Sequence, residues 1–158
     1  MCSSDLMALP VFLSTLFLTG IAEEIGWRGF ALPRLQIRHG ALAASAILAA
    51  LWAPWHYNPL NYPGVRAIIP WHVAGVLAMT ILMTWVYNNT HGSLLIAVLL
   101  HTFSNFADWV IPTAPAVLGG STAALTAQII LNLGVALAVL LLFGAEHLSR
   151  DARGRVTR

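Results

Sequence analysis

Between residues 6 and 143 the sequence runs through five apolar stretches, at about 6–22, 40–57, 67–87, 93–111 and 121–143. Each is close to the roughly 17 to 25 residues with which a helix crosses a bilayer. In lipid the backbone must satisfy its own hydrogen bonds, so runs of this length imply helices. The expected fold is all-α: a polytopic membrane helix bundle with about five transmembrane helices. Composition agrees, since 58% of the 158 residues are hydrophobic and 9% charged, against roughly 25% charged in a soluble domain. Mean hydropathy is +0.76. Residues 7–145 then form one membrane-embedded domain, and 146–158 a basic tail.

The charges that remain are informative by position. Net charge is +2 and all eight basic residues are Arg, four of them in "RDARGRVTR". In a five-span arrangement Arg34 and Arg38 share one face with that tail, and Arg66 lies opposite. The excess of positive charge places the first hairpin and the C-terminus in the cytoplasm, and the expected location is a bacterial inner membrane, with membrane lipids as partners. No basic groove with interleaved aromatics is present, so nucleic acid is not an expected partner. The single cysteine, Cys2, excludes an intrachain disulfide and a cysteine metal cluster. Reverse-translated, Cys2 to Leu6 can read TGC TCT TCC GAT CT, which resembles the end of a common sequencing adapter. Residues 1–6 are therefore expected to be non-native.

The first helix is expected to continue through "TGIAEEIGWRGFAL" to Leu32, because Pro33 is the first strong breaker after Pro10. "PRLQIRHG" then turns the chain. The second stretch, "ALAASAILAALWAPWHY", is rich in small residues that let membrane helices approach closely, and Pro54 should kink its far end. "NPLNYPG", "NNTHGS" and "PTAPAVLGGS" read as loops, with Gly119 and Gly120 at a turn. Trp71, Trp85 and Tyr87 suit an interfacial aromatic belt.

Ionisable groups inside spans cost roughly 2.5–3.5 kcal/mol each on insertion scales, so they are either functional or paired. Here they are Glu23, Glu24, Arg28, His56, His101 and Asp108, joined by Asn105. At about 1.5 Å per residue, Glu23 and His56 each lie roughly 24 Å from the intervening turn, and His101 and Asn105 fall about 14 and 20 Å along their helix. These side chains can share one layer. Glu24 and Arg28, at i,i+4, can pair, which leaves Glu23 to point elsewhere. His101 and Asn105 share a helix face, with Asp108 three residues on. A carboxylate with a histidine partner can deprotonate water, while a second histidine and an amide can stabilise an oxyanion. His39, His72, His91 and His147, near predicted ends or loops, read as interfacial or solvated, and Met79 and Met83 as packing residues.

"EEIGWRGFALPRL", "LWAPWH" and "NNTHGSLLIAVLLHTFSN" resemble the three signature segments of the CPBP family of intramembrane proteases, which includes the CAAX prenyl protease 2 type and bacteriocin-processing or immunity relatives. The motif EExxxR falls on Glu23, Glu24 and Arg28, FxxxH on Trp52 and His56, and HxxxN on His101 and Asn105. Trp52 replaces the usual Phe, a change that matters little where the position only packs. The resemblance implies a glutamate-dependent endopeptidase acting on a peptide or lipidated, CAAX-like protein substrate. It makes Glu23 and His56 the activators of water, His101 and Asn105 the oxyanion hole, and Glu24 and Arg28 supports. It also implies an eight-helix bundle, of which these five spans would be the C-terminal part.

Three other readings fit the same polar layer. In the first, zinc bound by Glu23, His56 and His101 drives the same hydrolysis. No HExxH is present and Asn105 is a poor ligand, so no cofactor is predicted and zinc is the alternative. In the second, a non-enzymatic immunity or scaffold protein keeps the layer for structure. The third, a proton-linked carrier, lacks a visible inverted repeat.

Overall fold

The computed structural model describes residues 3–56, 69–111 and 121–150. Within them lie five helices: α1 over residues 3–38, α2 Ala41–Trp55, α3 Ile69–Asn89, α4 Leu94–Val110 and α5 Thr122–Phe143. The all-α bundle expected from the apolar runs is present. Met7–Arg38, Ile69–Asn89 and Ala123–Phe143 are long and apolar enough to cross a membrane, while Ala41–Trp55 and Leu94–Asp108 are shorter apolar helices. Leu18, Leu51, Leu131 and Leu141 point outward, a side-chain distribution that suits lipid rather than water. "NPLNYPG" and the Gly119–Gly120 turn lie outside the described residues, as do residues 1–2 and 151–158.

Two expectations about helix ends need correction. α1 does not stop at Leu32 but runs through Pro33 to Arg38, and the turn is confined to His39 and Gly40. Its path includes two π-helical segments, Leu16–Ile21 and Trp27–Ala31. The second ends just before Pro33. Proline has no N–H to donate and in a regular helix strikes the carbonyl four residues back, and the wider π-helical turn before it gives the ring room. The second correction concerns "NNTHGS": Asn88 and Asn89 belong to the last turn of α3, and the connection is residues 90–93. Its sharp reversal uses left-handed φ angles at His91 (54°) and Gly92 (75°).

Two apolar clusters hold the bundle. One joins Leu32, Leu48, Trp52, Met83, Tyr87 and Ala97 from α1 to α4, with Met79 against it. The other joins Ala41, Ala78, Ile81, Ala136, Val139 and Leu148. Met79 and Met83 pack, as expected. α1 and α4 approach closely at Gly20, where a Cβ would run into Thr102 Oγ1. Glycine there lets the two helices meet one turn before Glu23 and Glu24. Phe12 adds ring contacts to Phe103 and Phe106 at 5.3 and 5.5 Å.

The segment after α5 folds back onto the first hairpin. Ala41 N and Leu42 N, free donors at the start of α2, donate to Glu146 O and Ala145 O at 2.7 and 2.9 Å. Asn88 Nδ2 donates to Gln36 Oε1 and to His147 O, both at 2.8 Å, and Gln36 Nε2 returns a bond to Asn88 Oδ1 at 3.1 Å. Arg34, Arg38 and Arg150 therefore lie toward one end of the bundle.

Candidate active site

Glu24 and Arg28 lie one turn apart on α1, both fully buried. Arg28 Nη1 donates to Glu24 Oε1 at 2.8 Å, the pairing their spacing predicts. The same oxygen is 2.8 Å from His101 Nδ1 on α4, whose ring is 2% exposed. One carboxylate oxygen thus ties two helices together. The spacing of Glu24 and Arg28 gave no sign of this second partner, because it comes from a helix 77 positions away. Glu24 Oε2 and Arg28 Nε and Nη2 are buried with no hydrogen-bond partner among the described residues.

Glu23 turns toward α2, where its Oε2 accepts from Trp52 Nε1 at 2.8 Å. Trp52 therefore does more than pack. A ring only 3% exposed needs a partner for its indole N–H, and the Phe usual at this motif position has none to offer. The rest of Trp52 is equally engaged. His56 Nδ1 lies 2.9 Å from Trp52 O, and since a carbonyl only accepts, that nitrogen carries a proton and Nε2 is left for other partners. The backbone N–H of His56 goes instead to Pro54 O, where α2 ends. The Trp52 ring meets His56 at 5.2 Å and His101 at 5.3 Å between centroids, and the Arg28 guanidinium sits 4.6 Å over it.

Asn105, one turn beyond His101, donates from Nδ2 to Thr19 Oγ1 at 3.3 Å. A cavity of about 220 Å³ is lined by Trp52, His56, His72, His101 and Asn105, together with residues of α3, α4 and α5. Three of the four candidate catalytic side chains face one space, which Glu23 approaches through Trp52 rather than lining it. No hydrogen bond joins Glu23 to His56 among the described residues. No three His, Cys, Asp or Glu side chains among the described residues are grouped to hold one metal ion, the Glu23, His56 and His101 set included.

His72 was expected to be interfacial or solvated. Its ring instead lines the cavity 5.6 Å from that of His56, with Nε2 3.3 Å from Ala53 O. Asp108 also lines it and accepts from Gln128 Nε2 at 2.9 Å. Gln128 and Asn132 on α5 complete the polar lining. The sequence did carry a sign of them: two carboxamides four residues apart in the otherwise apolar "TAALTAQIILNL".

Helices of this apolarity, closing around a carboxylate, guanidinium and imidazole cluster beside a polar cavity, define a helical membrane protein with an internal site. The chain belongs to the Rce1-like family, described as type II CAAX prenyl endopeptidase Rce1-like, which it matches over residues 5–107. It is similar to a CAAX prenyl protease 2 of Methanococcus maripaludis, with 31% identity over 107 residues, 60% of this chain and 39% of that protein. The chain thus spans well under half the length of that relative. No solved structure matches it.

Proposed function

We propose that the chain is an intramembrane endopeptidase that hydrolyses a peptide bond in a membrane-embedded or lipidated, CAAX-like peptide. One observation carries the reading. Side chains from all three motifs meet around Trp52 at the edge of one cavity. The relative's name, CAAX prenyl protease 2, supports the substrate class.

In this account water enters between the Glu23 carboxylate and His56 Nε2, and one of them takes its proton as the oxygen attacks the scissile carbonyl carbon. Asn105 Nδ2 and His101 donate to the oxyanion. The tetrahedral intermediate then expels the amine, which takes the proton back from the base, and the C–N bond breaks to leave a carboxylate and an amine. His101 Nδ1 faces Glu24, which leaves Nε2 as the ring nitrogen that can serve the oxyanion. Glu24 and Arg28 are thereby positioning groups as well as supports. Arg34, Arg38 and Arg150 at one end of the bundle support an orientation with the first hairpin and the C-terminus in the cytoplasm.

One observation favours the zinc-dependent version: both His56 and His101 tie Nδ1 to an oxygen, as metal-ligating histidines commonly do. The absence of a three-ligand group among the described residues favours the metal-free version. Proteoliposomes holding the full chain and a farnesylated CAAX peptide test both. Metal-free hydrolysis survives a chelator and is lost in Glu23→Gln. Loss with chelator and return with zinc supports the metal version, and no cleavage by the wild type overturns the protease reading.

A further inference from the structure

Ala123–Phe143 has a mean hydropathy of 2.3 and carries two carboxamides, Gln128 and Asn132. Four residues apart, they lie on the same face of α5, and both line the cavity that holds His56, His101 and Asn105. Gln128 Nε2 donates to Asp108. Neither Gln128 Oε1 nor any atom of the Asn132 amide has a hydrogen-bond partner among the described residues. A polar group inside a membrane span is unfavourable unless something satisfies it. Among the described residues only the Asp108 carboxylate satisfies part of this pair, and the cavity lies between the faces of α4 and α5 that carry them.

The chemistry of the missing partner follows from the groups themselves. A carboxamide offers one acceptor and two donors, the complement of a peptide unit. Hydrolysis requires the substrate backbone to be extended near the scissile bond, since a helix encloses its own carbonyls. An extended peptide in lipid carries unsatisfied N–H and C=O groups along both edges. Four helical residues advance about 6 Å, and two extended residues advance about 6.6 Å. The two carboxamides therefore match successive same-edge amides of one strand.

We infer that α5 is the substrate-binding wall of the site: Asn132 and Gln128 pair with main-chain amides two residues apart in an extended peptide lying between α4 and α5. The inference rests on the protease reading for the nature of its ligand. It goes beyond the family match, which ends at residue 107, before α5 begins.

The test uses the full chain in proteoliposomes and a fluorescent farnesylated CAAX peptide, with a series in which successive main-chain nitrogens are methylated. Kd is read by anisotropy and turnover is read separately. Asn132→Leu is expected to weaken binding roughly three- to tenfold, the range for one net hydrogen bond. One N-methyl peptide should lose a similar factor on the wild type and nothing further on Asn132→Leu. Gln128→Leu should give the same pattern two residues along. Unchanged Kd in both variants, or losses that simply add at every methylated position, overturns the wall, as does failure of the peptide to bind. Binding without turnover overturns the protease reading and leaves the wall standing.

Discussion

The bundle contains two polar networks that differ in how completely they are satisfied. At the hairpin end Gln36 and Asn88 exchange bonds, Asn88 also reaches His147 O, and Asn89 Nδ2 reaches Leu148 O at 2.8 Å. These bonds fasten helix ends and the returning segment. In the middle of the bundle Glu24 Oε2, Arg28 Nε and Arg28 Nη2 are buried with no partner among the described residues, and His56, His101 and the half-buried Asn132 line a cavity. Buried polar groups are ordinarily paired, and exceptions call for a role. A closed network stabilises a fold, whereas an open one beside a cavity awaits a ligand.

Substitutions sharpen or break that contrast. Glu23→Gln should lower hydrolysis by about 10²–10⁴-fold, the range for a general base, with Tm unchanged. Normal turnover in that variant would remove Glu23 from the chemistry. Glu24→Leu leaves Arg28 buried without its anion, which should cost about 3–5 kcal/mol, read as loss of the folded fraction during denaturant titration in mixed micelles. Asn105→Leu should reduce kcat by about 10²–10³-fold, as removal of an oxyanion donor does, with a smaller change in KM. Asn88→Leu should reduce stability by about 1–3 kcal/mol and leave turnover per folded molecule unaltered; a kinetic defect there would merge the two networks. Trp52→Phe keeps an aromatic ring but removes the N–H to Glu23 together with part of the indole that packs against His56, His101 and Arg28. Activity should fall roughly three- to tenfold, as for one hydrogen bond.

The helices were legible because each apolar run folds as one helix, three of them long enough to cross a membrane and two, Ala41–Trp55 and Leu94–Asp108, shorter. The depth estimate set Glu23 level with His56, whereas Glu23 bonds Trp52, one turn nearer the hairpin on α2. What was not legible depended on neighbours. Pro33 looked like a helix end because a π-helical turn before it leaves no mark in composition. The Glu24 bond to His101 required the relative rotation of α1 and α4, which the close approach at Gly20 sets. His72, placed near an expected helix end, lies on the turn of α3 that faces His56. The hairpin clasp escaped notice because its acceptors are backbone carbonyls of residues 145–148.

The central claim is that water, activated beside Glu23, attacks the peptide directly. A single-turnover hydrolysis in H₂¹⁸O, with enzyme in excess over peptide, tests it. One ¹⁸O in the new carboxylate of the first product formed is expected. An unlabelled first product would mean that the oxygen came from a protein carboxylate through a covalent intermediate, and would contradict the account.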